Sequence, residues 1–361
     1  VSSEIPSAAI AGGGIIGLSI AWRLAQRGLR VSVFDKGGLG GEASWAGAGM
    51  LSPGGEIDSD AELARLTIES RALYSGFVRE LEEASGVSID LQEAGALDVA
   101  YSAEEWDALE ARAARQEALG IHSKVMDLRQ VPVFWPRVNV DGLHGARFYP
   151  NDGVVNPREV VQALCVACGK LGVTLLPGCG VEEAEIQADG RGIVLKTGRG
   201  EAEGYNALVI AAGAWSSSIP VHGVAPLPVA EPVRGHLVGY QQPLHTSPTI
   251  VRHGHAYFLQ RANGLLIAGA SMERVGFDRG IEPATVATLA ASAGVVFPHL
   301  LETEPTEVWT GFRPISDGLR VGRWQSDALY LAYGHFRNGI LLAPLTAQQL
   351  ATEISGSLLI H

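Results

Sequence analysis

Gly12-x-Gly14-x-x-Gly17, followed 23 residues after Gly12 by Asp35, is the spacing that holds a dinucleotide. Gly12 permits a tight turn, Gly14 lets the backbone approach a pyrophosphate, and Gly17 lets a helix pack closely on the preceding strand. Asp35 stands where an acid can accept hydrogen bonds from ribose hydroxyls. The motif does not separate FAD from NAD. Cys165-x-x-Cys168 has the spacing of a metal or redox pair, but it lies in an apolar helical pattern with no second ligand pair nearby. These thiols read as buried small hydrophobes, and with Cys179 the odd count gives no disulfide framework. His253 and His255 fall on one side of a regular strand, yet no third ligand stands at a suitable spacing, and no metal is expected. Neither a GxSxG elbow nor a GxxxxGK[ST] phosphate loop is present.

The glycine motif needs a strand, a turn and a helix in that order, and its surroundings supply them. Ala8–Ile10 is an apolar run into Gly12. Ile16, Ile20 and Leu24 recur at helical spacing, Gly28 follows the helix end, and Val31–Phe34 resumes as a second strand ending at Asp35. The free N–H groups and positive end of that helix then face a phosphate. Residues 37–56, GGLGGEASWAGAGMLSPGGE, are a run of small residues through which backbone can lie close to an extended ligand. The run is expected to follow the cofactor's phosphates toward its reactive ring.

With 361 residues, 47% of them hydrophobic, the chain can fill the cores of two domains. A net charge of −12 argues against a nucleic-acid or anionic-membrane surface. No segment approaches the roughly 18 uninterrupted apolar residues of a membrane span, and a soluble, cytoplasmic protein is expected. Further along, Ser59–Ser85 reads as a long amphipathic helix stopped by Gly86, and residues 87–102 as paired short strands about Glu93-Ala94-Gly95. Ala103–Leu119 reads as a charged, solvated helix. Asn156 and Pro157 open a helix that delivers a third parallel strand at Val173–Leu176. Alternating segments follow at Val181–Gln187 and Ile193–Thr197, then a buried strand at Ala207–Ile210 that ends in Ala211-Ala212-Gly213-Ala214. Ile219–Pro232 reads as a proline-rich linker. Strands at Gly235–Gln241, Ala256–Gln260 and Gly264–Ala268 suggest a second, antiparallel sheet. A helix at Ala284–Val296, strands at Val308–Arg313 and Ala328–Tyr333, and a final helix through about Ile354 complete the chain.

GGGIIGLSIAWRLAQRG with FDK, AGAGML, IAAGAWS, TGFRP and the late GHFRNGILLAP together resemble the D-amino-acid-oxidase-like FAD-dependent oxidoreductases, and within them the glycine oxidases of the thiamine pathway. The resemblance covers nearly the whole chain and makes the expected cofactor FAD. It implies an α/β fold with a Rossmann-like, glutathione-reductase-type FAD domain assembled from residues 1–85, 150–220 and 308–361. An α+β substrate domain on an antiparallel sheet would comprise residues 86–149 and 221–307. The implied reaction oxidises glycine, a small D-amino acid or N-methylglycine by hydride transfer from Cα to flavin N5. Its products are a 2-oxo acid, ammonia or an amine, and hydrogen peroxide formed with molecular oxygen. The alternatives are a related oxidase or dehydrogenase for sarcosine, D-proline or a larger substrate, and a non-catalytic flavoprotein subunit. Homo-oligomers are a family expectation.

The resemblance also places residues. Arg313 in TGFRP matches the arginine that binds the substrate carboxylate, a task suited to a permanent cation with fork geometry. Tyr257 matches the tyrosine that assists it, and Arg337 would lie by flavin and substrate. Met272 matches a position near the pocket, while sequence position alone suggests that His255 lines the entrance and that Glu56, following the glycine-rich run, contacts the amine directly or through water. Along FAD would lie Ile15, Ile16 and Lys36 beside the glycines and Asp35; Ser44, Ala46, Ala48, Gly49 and Met50; and Val181, Ala212, Gly213 and Trp215. Arg313 would also touch it, as would Gly334, His335, Phe336, Arg337, Asn338, Gly339 and Ile340. The helix beginning at Gly339 would aim its positive end at the flavin. Covalent attachment would need a cysteine near that C-terminal loop, so FAD is expected to be non-covalent. Arg313–Arg323 is shorter than the corresponding family loop and has Leu319-Arg320 where a proline is common, which bears on the pocket's outer edge.

Overall fold

The computed structural model describes residues 5–200, 202–244 and 250–359. Strand β1 (Ser7–Ala11), helix α1 (Ile15–Gln26) and strand β2 (Arg30–Phe34) form the expected strand, turn and helix. Every β1 residue is buried. On both sides β1 pairs in parallel, with Arg30–Phe34 and with Ala207–Ile210. Thr174–Leu176 adds to the far side of β2 and Leu329–Tyr333 to the far side of Ala207–Ile210, and Arg320–Arg323 closes that edge antiparallel. A parallel sheet must be covered on both faces. Helix α1, the helix Pro157–Lys170 and the C-terminal helix Gly339–Leu359 share one core with this sheet, around Ile10, Trp22, Val33, Leu164 and Leu350.

Local signals account for the long helices. Asp60 caps the helix Ala61–Ser85 by accepting the Leu63 N–H at 2.9 Å, and Gly86 ends it at φ +79°. Asn156 accepts the Arg158 N–H at 3.2 Å, with Pro157 in the first helical position.

The second large sheet has eight strands. From one edge these are Glu307–Ser316, Ala230–Gln241, Leu265–Gly269, Ala256–Gln260, Ile250–His253, Ala96–Ala100, Gly145–Tyr149 and Lys124–Val125. All neighbours pair antiparallel except Ile250–His253 with Ala96–Ala100. One face packs Val238, Tyr240, Phe258 and Leu266 against Leu289, Ala293 and Val296 of the helix Pro283–Val296. The opposite face carries Leu237, Tyr257, Leu259, Ile267 and Trp309 toward Ala46 and Ala48 of the small-residue run. That face forms the boundary with the parallel-sheet unit.

Two local expectations change. Leu91–Gln92 and Ala96–Ala100 do not pair with each other. The first joins a three-stranded sheet with Met50–Leu51 and Gly153–Val155, and the second enters the eight-stranded sheet, with Gly95 at φ +82° redirecting the chain between them. The linker is also shorter than Ile219–Pro232, because Ala230–Pro232 already pairs with Pro314–Ser316. Strand Glu307–Ser316 pairs with Ala230–Gln241 along its whole length, so a boundary at residue 308 falls at the start of a shared ladder.

Candidate functional site

A single cavity of about 820 Å³ runs from the glycine turn to the eight-stranded sheet. At its first end lie Gly12, Gly14, Ile15, Ile16, Asp35 and Lys36. A Cβ on Gly12, at φ +114°, would come within 2.3 Å of the Ala211 carbonyl oxygen, and one on Gly17 within 1.9 Å of the Gly12 oxygen. Both positions therefore require glycine, Gly17 by packing behind the turn and not by lining the cavity. Asp35 does more than await a ribose. Its two carboxylate oxygens accept the Gly13 N–H at 2.7 Å and the Gly37 N–H at 2.8 Å, pinning both loops of the turn. Ser44 accepts the Ile15 N–H at 3.0 Å and so holds the small-residue run against the first turn of α1.

The middle of the cavity is backbone. Ser44, Ala46, Ala48, Gly49 and Met50 line it from one side, and Val181, Ala212, Gly213 and Trp215 from others. Gly49, at φ +101°, has no room for a side chain, since a Cβ would meet the Val155 oxygen at 1.8 Å.

At the sheet end stand Tyr257 and Arg313, with Gly235, Leu237, Gly311 and Phe312. Register places them: Val233 pairs with Arg313, Gly235 with Gly311, and Gly269 with both Leu237 and Tyr257. Two glycines clear space for the polar groups. A Cβ on Gly235 would sit 2.3 Å from Arg313 Nη1, and one on Gly269 would sit 2.5 Å from the Tyr257 hydroxyl. The Arg313 Nη1 donates to the Ser271 carbonyl at 3.0 Å, which orients the fork.

The C-terminal loop closes the remaining wall with His335, Phe336, Arg337, Gly339 and Ile340. Gly339 opens the C-terminal helix, so the start of that helix lies at this wall. Gly334 and Asn338 shape the loop from behind: Gly334 has φ +80°, and the Asn338 N–H donates to the His335 carbonyl at 2.9 Å. His335 is fully buried against Thr346, Nε2 to Oγ1 3.1 Å, and burial pulls its pKa down to about 3. It is therefore neutral and closed to proton uptake at ordinary pH.

Two of the expected residues stand apart from the cavity walls. Met272 is 64% exposed, and His255 is exposed in the turn after Ile250–His253. Glu56 ends the short helix Pro53–Glu56, and its side chain lies outside the described residues. His253 Nε2 lies 3.2 Å from Glu105, and among the described residues no group of three His, Cys, Asp or Glu side chains is arranged to hold a metal. None of the three cysteines lines the cavity, and burial pushes the Cys168 thiol up to about 12. No helix among the described residues is long and apolar enough to cross a membrane.

Sequence reasoning missed a buried polar cluster beside Tyr257. Arg252, its cross-strand neighbour, bonds Asp98 at 2.5 Å, Ser52 at 2.5 Å and Asp152 at 2.8 Å, while Asp152 also accepts the Gly54 N–H at 3.2 Å. The cluster ties the segment that starts at Ser52 to the sheet. Its only sequence signal was an arginine inside an otherwise apolar strand pattern.

The start of α1, Asp35, a channel walled largely by backbone and the Arg313–Tyr257 end thus belong to one continuous cavity between the two sheets. The cavity also lies in the size range of ligand sites, about 300–1,000 Å³. Fold and site define a two-unit flavin-dependent oxidoreductase. The chain belongs to the FAD dependent oxidoreductase family, whose model matches residues 7–353. It is 33% identical over 347 residues to the glycine oxidase of Geobacillus kaustophilus, covering 95% of this chain and 91% of that one. The crystal structure of a glycine oxidase from that organism matches with a TM-score of 0.88 at 31% identity, covering 97% and 94% of the two chains. The L-proline dehydrogenase structure from P. horikoshii shares the fold, with a TM-score of 0.84 at 23% identity. The cofactor is FAD.

Proposed function

We propose that the protein oxidises the carbon–nitrogen bond of a small amino acid, glycine or a close D- or N-methyl relative, and passes the electrons to oxygen. The observation that carries this reading is the pairing of Arg313 and Tyr257 at the sheet end of the FAD cavity, each in space cleared by a glycine. The similarity to glycine oxidases supports the same class.

FAD, when bound, supplies the two-electron acceptor. The chain supplies position. Arg313 offers a charged fork to the carboxylate and Tyr257 a hydroxyl beside it, which fixes the α-carbon against the ring end of the cavity. Leu237 and Phe312 make that corner apolar and exclude water, strengthening the arginine–carboxylate pair. The substrate ammonium releases one proton before its Cα hydrogen leaves with the bonding pair. The imine left behind hydrolyses to a 2-oxo acid and ammonia, or an amine from an N-substituted substrate, and oxygen is reduced to hydrogen peroxide.

Anaerobic flavin bleaching with glycine, sarcosine and a panel of D-amino acids tests the reading. Bleaching by one of them, with peroxide on readmission of air, is the expected result. A flavin that none of them reduces would sink it. Reduction without reoxidation by air would identify a dehydrogenase instead.

A further inference from the structure

Three consecutive carbonyls in the small-residue run are each held by a side chain from a different part of the fold. Arg158 Nε, from the helix Pro157–Lys170, donates to the Trp45 oxygen at 3.1 Å. Trp309 Nε1, from the edge strand, donates to the Ala46 oxygen at 2.9 Å. Arg261 Nη2, just past the strand Ala256–Gln260, donates to the Gly47 oxygen at 3.1 Å. These are the last carbonyls of the short helix Ala43–Ala46 and its exit, the groups a helix leaves unsatisfied.

Peptide planarity carries the consequence across the chain. The Gly47 carbonyl and the Ala48 N–H belong to one trans peptide and point in opposite directions. With the carbonyl turned to Arg261, which does not line the cavity, the Ala48 N–H is turned the other way. Ala48 is buried, lines the cavity, and its N–H donates to no acceptor among the described residues. Ala46 lies so close to Gly311 that a Cβ there would come within 2.4 Å of its own, which puts this segment at the sheet end of the cavity. Because the glycine turn at the other end takes the phosphates, the sheet end takes the flavin ring.

We propose that Arg261 is a positioning residue of the flavin site: it fixes the Ala48 N–H toward the ring and, with Arg158, places positive charge behind that peptide. Reduced flavin, the more electron-rich form, is then bound more tightly than oxidised flavin.

The environment of the two arginines supports this. Arg261 is only 3% exposed, and its Nε has no hydrogen-bond partner. Burial, with the nearby Arg158 adding to it, pulls its pKa down to about 10 against the opposing pull of Glu159, Asp90 and Glu307, and it remains charged at neutral pH. Arg158 lies over the Trp45 ring at 3.9 Å, and its Nη2 is likewise buried without a partner. The cost of two guanidinium groups side by side, each with one buried nitrogen unsatisfied, is offset only in part by Glu159, Asp90 and Glu307, since the net pull on Arg261 is still downward. Negative charge arriving in the cavity offsets that cost, and a cation on the carbonyl side of a peptide polarises its N–H into a stronger donor. The inference depends on the flavin and on no particular substrate.

The test is the midpoint potential of the purified holoprotein, titrated with dithionite without any amine. Arg261→Met keeps the volume and removes the charge and the donor, while Arg261→Lys keeps the charge. The expected result for Arg261→Met is a tenfold loss of preference for reduced over oxidised flavin, a potential about 30 mV lower for a two-electron couple. Arg261→Lys should recover most of that shift. Parental potential in an Arg261→Met protein that carries its full FAD would overturn the proposal. Should Arg261→Met fail to fold, the less buried Arg158→Met decides the matter, a lowered potential supporting the proposal and an unchanged one overturning it.

Discussion

Arg313 is worth its position only because Gly235 has no side chain. A Cβ at 235 meets the tip of a flexible guanidinium and not backbone, so the structure can yield locally. Gly235→Ala should therefore leave the melting temperature within a few degrees of the parent while raising KM for the amino acid at least tenfold, a split that steady-state kinetics and a thermal melt read together. Arg313→Leu removes the carboxylate's partner altogether. It should lower kcat/KM on the order of 10²–10³-fold, the range for losing one member of a buried charged pair, with the flavin spectrum of the purified protein unchanged. Tyr257→Phe gives up one hydrogen bond and should cost about 1 kcal/mol, read as a several-fold rise in KM. Arg313 and Tyr257 were legible in the sequence because TGFRP and the His255-Ala256-Tyr257 triplet match a family pattern. Gly235, Gly269 and Arg261 were not: a glycine's neighbour across a strand and an arginine's carbonyl acceptor depend on register, which no local pattern states. Met272 shows the converse: its position matches the family pattern, yet its side chain is 64% exposed and stands apart from the cavity walls.

At the scale of elements, the sequence was most readable where one segment decides its own conformation. The strand, turn and helix from Ser7 to Phe34, the Asn156-Pro157 helix start and the Gly86 stop follow from caps, glycines and period alone. Pairing partners were not readable. Leu91–Gln92 and Ala96–Ala100 both have strand character, and only the tertiary fold sends them to different sheets. The C-terminal loop joins these scales through His335. Its folded pKa near 3 lies below the ordinary value of 6.5, so below that value the unfolded chain binds a proton that the folded chain refuses. The contribution of His335 is therefore fully present above about pH 6.5 and is lost as pH drops from there toward 3. His335→Gln, which has no such proton to exclude, should flatten the decline of urea midpoint with acidification across that window. A parallel decline in parent and variant would show that other groups control acid unfolding.

For the whole molecule, the cavity is the seam between two sheet units, and FAD binding is correspondingly linked to overall stability. Ligand at one hundred times its dissociation constant adds about 2.7 kcal/mol. Added FAD should raise the melting temperature of apoprotein in proportion to the logarithm of its concentration, and Asp35→Ala should shift that dependence to higher FAD. Asp35 is the residue to change because it holds Gly13 and Gly37 as well as any ribose. The walls come from residues as distant as Gly12 and Ile340. The glycine turn itself leans on Ala211 and β1 on Ala207–Ile210, so neither end of the cavity is complete in a local segment, and its walls are finished only when the loop at 335–340 and the helix behind it are in place.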